Sequence, residues 1–355
     1  MPRKATSADV ARLAGVSRSA VSFVLNGRAD GNIAKDKQEL IRAAARELHY
    51  TPNAVARSLQ SSRTHTIGVV TDAIAGSPFA GKLLQGAGDA ALAAGYLLLV
   101  IDTHSDAHRE AGAFAALHDR QVDALMYAAM SLREYTPPAA MAGGPAVLAN
   151  SYDPAGSLRA VIPDEVAGGR AAAQVLIDAG HRRVAFLSGT DELVAPGLRA
   201  TGFRQALAAA GLPEAPIIPT GWQINDGFAG AMALLTDALV ADDGGPRPGA
   251  DRPTGIVCAN DRVAMGVLLA CGRLGLRVPQ DVSIVGYDDD ETIAAPSVPA
   301  LTTIALPHRE MGEQAISLLL GALAEDAPAH PAAGNGPLLL ECPVISRDSV
   351  AAPAA

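Results

Sequence analysis

Cysteine is scarce and unclustered in this sequence. Cys258, Cys271 and Cys342 are the only three in 355 residues and form no CxxC or Cys/His spacing, which excludes a disulfide framework and a zinc site of the usual kinds; they read as small buried hydrophobes. Long apolar runs are missing as well, none approaching the ~18–20 residues of a membrane span. MPRKATSADV is basic, but no apolar stretch follows it, so no secretory signal is expected and the expected compartment is the cytoplasm. Enzyme signatures are equally absent: no GxSxG, no P-loop, and no GxGxxG after the first strand-like run. His104, His108, His118 and His181 stand beside no nucleophile in sequence and read as surface or capping residues. These absences argue against catalysis, and neither a cofactor nor a metal is expected.

What is present is a division of charge. Residues 1–65 hold 11 Lys/Arg against 5 Asp/Glu, while residues 66–355 hold 17 against 32. A basic head on an acidic body separates a phosphate-binding end from the rest. In the head, Thr6 or Ser7 can cap a first helix whose inner face is Val10, Ala11, Leu13 and Ala14. Gly15 permits a tight turn. Ser17 then caps a second helix to about Leu25, with Ala20, Val21 and Val24 inward and Arg18, Ser19, Ser22 and Phe23 outward. A third helix, from about Lys35 to Leu48, closes the core with Leu40, Ile41, Ala44 and Leu48. Two short helices joined by a glycine turn form a helix-turn-helix unit, the second helix of which enters the DNA major groove; a small helical interaction bundle is the alternative. Pro52 begins a short helix from Asn53 to about Gln60, only about two turns long and marginal on its own.

From Thr66 onward strand-like and helix-like blocks alternate: TIGVVT, a helix over Ala80–Ala94, YLLLVID, a helix over Arg109–Arg120, and VDALMYAA. The cycle restarts at RVAFLSG and runs through APIIPT, GIVCAN and DVSIVGYDD, with helices at Phe228–Ala241 and Val263–Leu274. Such alternation predicts two consecutive doubly wound parallel sheets, hence two lobes with a cleft. Ligands of such sheets sit outside the carboxyl ends of the strands. Asp72, Asn150, Asn260 and Asp288 fall at those ends, while Arg199 follows the GTDELVAPGL loop and Trp222 follows IIPTG. Polar groups converging on apolar walls suit a binding pocket. A sugar fits this set, and so does a purine.

DVARLAGVS, AVSFVLNG and YTPNAVARSL carry a resemblance to the LacI-type (lactose-repressor/galactose-repressor) family of bacterial transcription regulators, and the likeness runs from about Ala5 to about Arg347. It implies an all-α helix-turn-helix domain over residues 1–51, a hinge helix and linker over 52–65, and a two-lobed periplasmic-binding-protein-like domain over 66–350 for effector binding and dimerisation. The implied partners are double-stranded, near-palindromic operator DNA, a small-molecule effector and a second copy of the chain, with no membrane. Arg18 and Ser19 match positions that read base edges; Thr6, Ser17, Ser22 and Asn26 match phosphate anchors. Phe23 stands where the family often has arginine and Ala20 where it often has threonine; the Phe23 ring could meet a thymine methyl or pack against the backbone or hinge. In the hinge, Leu59 matches the wedge that enters the minor groove. Ala56 lies where paired helices approach, and Asn53, Arg57 and Gln60 match backbone or groove contacts. Arg199, Asn260 and Asp288, with Asn150 and Trp222, match effector-contacting positions. The family's PDxxNPFF run is altered here to Thr71–Ala80, where Phe79 could wall the pocket or cap the core. SRDSVAAPAA has no leucine heptads, so a dimer is expected rather than a tetramer. A wedge trades unstacking energy for a kinked duplex. Leu59→Ala is therefore expected to weaken operator binding on the order of tenfold or more while leaving thermal unfolding in place, and an unchanged operator affinity in gel-shift titrations would overturn the assignment.

Overall fold

The structure, a computed structural model, describes residues 5–26, 29, 32–51, 63–76, 81–190, 193–237, 252–324 and 336–354. The hinge positions Asn53, Ala56, Arg57, Leu59 and Gln60, and Phe79 of the first lobe, lie outside the described residues. The chain divides into two compact units, Met1–His65 and Thr66–Ala355.

The first unit holds helices α1 (Ser7–Leu13), α2 (Arg18–Leu25) and α3 (Lys35–Glu47). The Asp9 carboxylate accepts both the Thr6 N–H (2.9 Å) and the Thr6 hydroxyl (2.7 Å), fixing the start of α1. Gly15 takes the left-handed backbone at φ 64° that the turn requires. Ser17 caps α2, its Oγ accepting the Ala20 N–H at 3.1 Å. Val10, Ala11, Val21, Val24, Ile41, Ala44 and Ala45 form the core. Two expected core residues are not in it: Leu13 is 48% exposed and Leu40 is 55% exposed. The reason is rotational. The inward stripe of α3 runs through Ile41, Ala44, Ala45 and Leu48, and Leu40 precedes it by the ~100° of one residue; in α1, Val10, Ala11 and Ala14 set the stripe and Leu13 falls outside it.

The second unit contains two six-stranded sheets. In the first, the order is β11 (Leu338–Leu340), β5 (Arg159–Pro163), β4 (Ala146–Tyr152), β3 (Ala124–Glu134), β1 (Thr66–Thr71), β2 (Leu97–Asp102), and all pairs are parallel. Helices α4 (Gly81–Ala93) and α10 (His308–Leu323) cover one face and α5 (Ala107–Asp119) the other. In the second, the order is β12 (Val344–Ile345), β10 (Thr302–Ala305), β9 (Ser283–Asp288), β8 (Gly255–Cys258), β6 (Val184–Ser188), β7 (Ile217–Pro219), parallel except for β12. Helices α6 (Glu165–Asp178) and α7 (Val194–Ala209) cover one face, α8 (Ile224–Asp237) and α9 (Asp261–Leu274) the other.

The two lobes are not simply consecutive, as the alternation alone suggests. Among the described residues the chain passes between them near Asp164, near Pro307 and near Cys342, so α10 and β11 belong to the first lobe although they follow most of the second. Met311, Ala315, Ile316 and Leu319 of α10 are buried in the first lobe's core. Periodicity reports that a helix is amphipathic, but not which sheet it will cover.

Three helix pairs cross through reciprocal glycines. A Cβ on Gly86 of α4 would overlap the Arg309 carbonyl of α10, and one on Gly312 would overlap that of Leu83. Gly169 and Gly202 relate α6 to α7 in the same way, and Gly227 and Gly266 relate α8 to α9. Each backbone lies where the other's side chain would be, the closest approach two helices make. Gly272, on the same helix as Gly266, has nothing within 4 Å. Gly266→Ala is therefore expected to cost about 1–3 kcal/mol and Gly272→Ala to add about 0.5–1 kcal/mol, opposite signs on one helix, read by urea unfolding.

Candidate functional site

A cavity of about 500 Å³ opens between the lobes at the carboxyl ends of both sheets. Strands β7 to β10 each deliver a lining residue at or just beyond their ends, Trp222, Asn260, Asp288 and Leu306, and Ala195 joins them from the first turn of α7. The first lobe contributes Ala73, His104 and Asn150, and the segment Met130–Leu132. Counted over the first five strands of each, both sheets share the order 2-1-3-4-5, so each places a switch point beside the cleft.

Arg199 lies at the floor, 4% exposed, with Glu165 beside it at 2%. Its Nε and Nη2 donate to the two Glu165 oxygens at 2.7 and 2.8 Å, and its Nη1 donates to the Ala259 carbonyl at 2.6 Å. The guanidinium sits 3.6 Å above the Tyr287 ring centroid, and the Tyr287 hydroxyl donates to Glu165 at 2.7 Å. Burial alone would lower the Arg199 pKa, but Glu165, Tyr287 and Asp288 together raise it, so the cation is permanent. Asp288 ends β9 with φ 102° and lines the cavity. Burial drives its pKa well above the carboxylate range against the opposing pull of Arg199. Among the described residues its carboxylate accepts no hydrogen bond, leaving it available to a ligand hydroxyl or N–H.

The remaining polar residues are partly committed to holding the walls. Asn260 caps α9 through the Val263 N–H (2.8 Å) and donates to the Trp222 carbonyl (3.2 Å). The Trp222 indole N–H donates to Thr190 Oγ1 at 3.3 Å, and its ring lies where a Cβ on Gly189 would be. Asn150, left-handed at φ 52°, donates to the Ala129 carbonyl at 3.0 Å. Of the seven effector positions expected, the structure thus gathers Asn150, Arg199, Trp222, Asn260 and Asp288 around one cavity.

Asp72 is a correction. It is buried but does not line the cavity: its carboxylate accepts the Ala73 N–H (2.7 Å), the Met130 N–H (2.8 Å) and Arg133 Nη1 (3.1 Å). Those bonds pin the register shift of β3 between Ala128 and Arg133, which is where Met130, Ser131 and Leu132 turn to the cavity. A strand-end aspartate can face its own backbone as readily as a ligand, and here the irregular strand claims it. His104, read as a surface residue, lines the cavity from the end of β2, with His104 and Ser105 both left-handed at φ 53° and 59°; the strand-end rule would have found it. His181 is buried, bridging Thr254 Oγ1 and the Ala351 carbonyl at 2.9 Å each. Glu165 carries no signal of its own in the sequence, because β5 and α6, which deliver it, do not stand out in the alternating pattern.

In the head, Arg18 and Ser19 are exposed on α2, and Phe23 is 42% exposed on the same outward side rather than in the core. Ser22 accepts the Asn26 side-chain amide at 3.1 Å, and Thr6 and Ser17 serve as the helix caps described above. Among the described residues no group of His, Cys, Asp and Glu could hold a metal ion, and no helix is long and apolar enough to cross a membrane.

Asp261, the first residue of α9, ties the loop after β9 to β10: its carboxylate accepts the Asp290 N–H and the Thr303 hydroxyl, each at 2.7 Å. Burial outweighs those two bonds and lifts its pKa from 3.8 to about 7. Between about pH 4 and pH 7 the folded chain therefore keeps a proton that the unfolded chain has released, so stability falls as pH rises through that window. The effect is on the order of a few kcal/mol. Asp261→Asn is expected to flatten this part of the stability–pH curve, measured by chemical unfolding; a slope unchanged from the parent would refute it.

Residues 6–53 match the profile of bacterial regulatory proteins of the lacI family, and residues 173–350 that of a periplasmic binding protein-like domain. The ribose operon repressor of Escherichia coli (strain K12) is 34% identical over 342 residues, 95% of this chain and 98% of that protein. The HTH-type transcriptional repressor PurR of Erwinia tasmaniensis is 32% identical over 325 residues, 89% of each. Among solved structures, the lac repressor dimer bound to operator and the anti-inducer ONPF superposes with a TM-score of 0.78 at 28% identity, covering 99% of this chain and all of that one.

Proposed function

The chain belongs to the lacI family of bacterial regulatory proteins, and from that premise we propose that it is a transcriptional repressor, not an enzyme, that binds operator DNA as a homodimer and is governed by a small-molecule effector, a sugar or a purine, in the cavity between the lobes. The observation that carries the reading is the pairing, in one chain, of an exposed Arg18–Ser19 face on a Ser17-capped second helix with an interlobe cavity where polar side chains converge.

Arg18 is suited to a bidentate contact with guanine O6 and N7. Thr6, Ser17, Ser22 and Asn26 are suited to phosphate contacts that set register without reading sequence. Two heads related by the dimer's twofold axis fit a near-palindromic site. In the body, β2 is the edge strand of its sheet and exposes Leu97 and Val100, an apolar edge that a second copy would cover. The Asn53–Gln60 hinge is the segment through which lobe position would reach the DNA. An effector acts only through its differential affinity for the DNA-competent and DNA-released states. Asp288 and the two N–H groups of Arg199 that no acceptor among the described residues takes are the groups suited to a ligand's hydroxyls or ring edge, with Trp222 as an apolar plate. The ribose operon repressor and the HTH-type transcriptional repressor PurR are relatives of similar identity, and the first of these names favours the sugar.

The test is fluorescence anisotropy on an operator selected from random duplexes, at one fixed salt concentration because phosphate contacts make affinity steeply salt-dependent. One member of a panel of sugars and nucleobases is expected to change operator affinity about 5–150-fold. Asp288→Ala should abolish that response and leave effector-free operator binding intact. Arg18→Ala should weaken binding roughly 10–100-fold. If no panel member alters DNA binding, the effector part of the reading fails.

A further inference from the structure

Four ionisable residues of the Arg, Asp and Glu types line the cavity: Arg199 and Arg262, and Glu165 and Asp288. They are not equivalent. Arg262 is half-buried near the mouth, its Nη1 3.5 Å from Gln223 Oε1. Arg199 is buried, and one whole edge of its guanidinium is closed by the two oxygens of Glu165 at 2.7 and 2.8 Å. In so dry a place the attraction is little screened, and the same holds for repulsion of any negative group brought near.

Orientation alone does not call for a carboxylate. The Ala259 carbonyl positions Nη1 at 2.6 Å without altering the charge, and a neutral side chain could do the same for Nε and Nη2. Glu165 does what a neutral acceptor cannot: it cancels the cation in place. The Tyr287 hydroxyl at 2.7 Å holds the carboxylate, and the Tyr287 ring under the guanidinium holds the other side of the pair. Of the five N–H bonds of the guanidinium, three have acceptors among the described residues, and the two left over can serve a neutral oxygen. A phosphate or carboxylate arriving at the same point would meet a cation whose charge is already spent and a glutamate that repels it.

We propose that Glu165 is a specificity-determining residue: by pairing with Arg199 it makes the cavity select an uncharged, hydroxyl- or carbonyl-bearing ligand and reject its phosphate ester. The proposal rests on the reading of this cavity as the effector site. It assigns to Glu165 a role in choosing the ligand, beyond its part in the buried network.

Trp222 is the only tryptophan of the chain and lines the cavity, so its fluorescence reports occupancy directly. The full-length protein and its Glu165→Gln and Glu165→Asp variants would be titrated with ribose, ribose 5-phosphate and inorganic phosphate, after circular dichroism and thermal melting establish that each is folded. The wild type is expected to bind the ester and phosphate no better than the sugar. Glu165→Gln should tighten the ester and inorganic phosphate at least tenfold, and Glu165→Asp, which keeps the charge, should not. Unchanged anion affinity in the Gln variant, an equal gain in the Asp variant, or a wild type that prefers the ester to the sugar would each overturn the proposal. If no sugar or nucleobase binds the wild type, the effector reading falls, while a tenfold gain for inorganic phosphate in the Gln variant still supports the charge-cancelling role. If the Gln variant does not fold, the wild-type order of sugar and ester decides.

Discussion

A guanidinium cannot give up its proton inside a protein, so burying one leaves a charge that needs compensation, and here a carboxylate supplies it. Arg199 projects from α7 into the seam between the lobes, and that requirement organises its neighbourhood. The carboxylate comes from Glu165, the first residue after the chain crosses out of the first lobe. The aromatic plate comes from Tyr287, one residue before the end of β9. Bringing those three together fixes where α6 begins, how α7 lies against it, and where β9 stops. Asp288 reaches the cavity as a consequence, because it follows Tyr287 on the strand. Breaking one partner of such a pair leaves an uncompensated buried charge, which is why the arrangement behaves as a unit rather than as separate contacts.

The walls around it are built before any ligand arrives. Asn260 spends its amide on the Trp222 backbone and its oxygen on capping α9, and Asn150 spends its amide on Ala129. Asp72 spends its carboxylate on the shifted segment of β3. Side chains committed in this way lose little freedom on binding, so less of the ligand's interaction energy goes into ordering the site.

Much of this was legible in the sequence, and the misses share a cause. Alternating blocks announced a parallel α/β body, and the Gly15 turn with its Ser17 cap announced the head, because both signals are local. The strand-end rule brings Asn150, Trp222, Asn260 and Asp288 to the same place, because a parallel sheet puts all its carboxyl ends on one edge, and Arg199 joins them from α7. It could not say which way Asp72 would turn, since that depends on an irregularity in a different strand. Leu13 and Leu40 were assigned inward by hydrophobicity, but one residue of helical rotation separates core from solvent. The return of α10 and β11 to the first lobe is a non-local pairing with no marker in the local pattern. Glu165 is hidden for the same reason: its partner lies 34 positions away, and only the packing of α6 on α7 brings them together.

The reciprocal glycines carry a mechanical meaning. Helices seated backbone against backbone have no compliant layer of side chains between them, and a close-packed interior passes strain on rather than absorbing it. Two such pairs clothe the second sheet and a third clothes the first, so each lobe resists deformation as one solid piece. The connecting strands near Asp164, Pro307 and Cys342 are then the places where the body can yield. Around these crossings the Asp164 N–H donates to the Leu340 carbonyl and the Ala305 N–H to the Pro343 carbonyl, so the three are bonded to one another rather than separate. A displacement at one crossing is therefore handed to the other two.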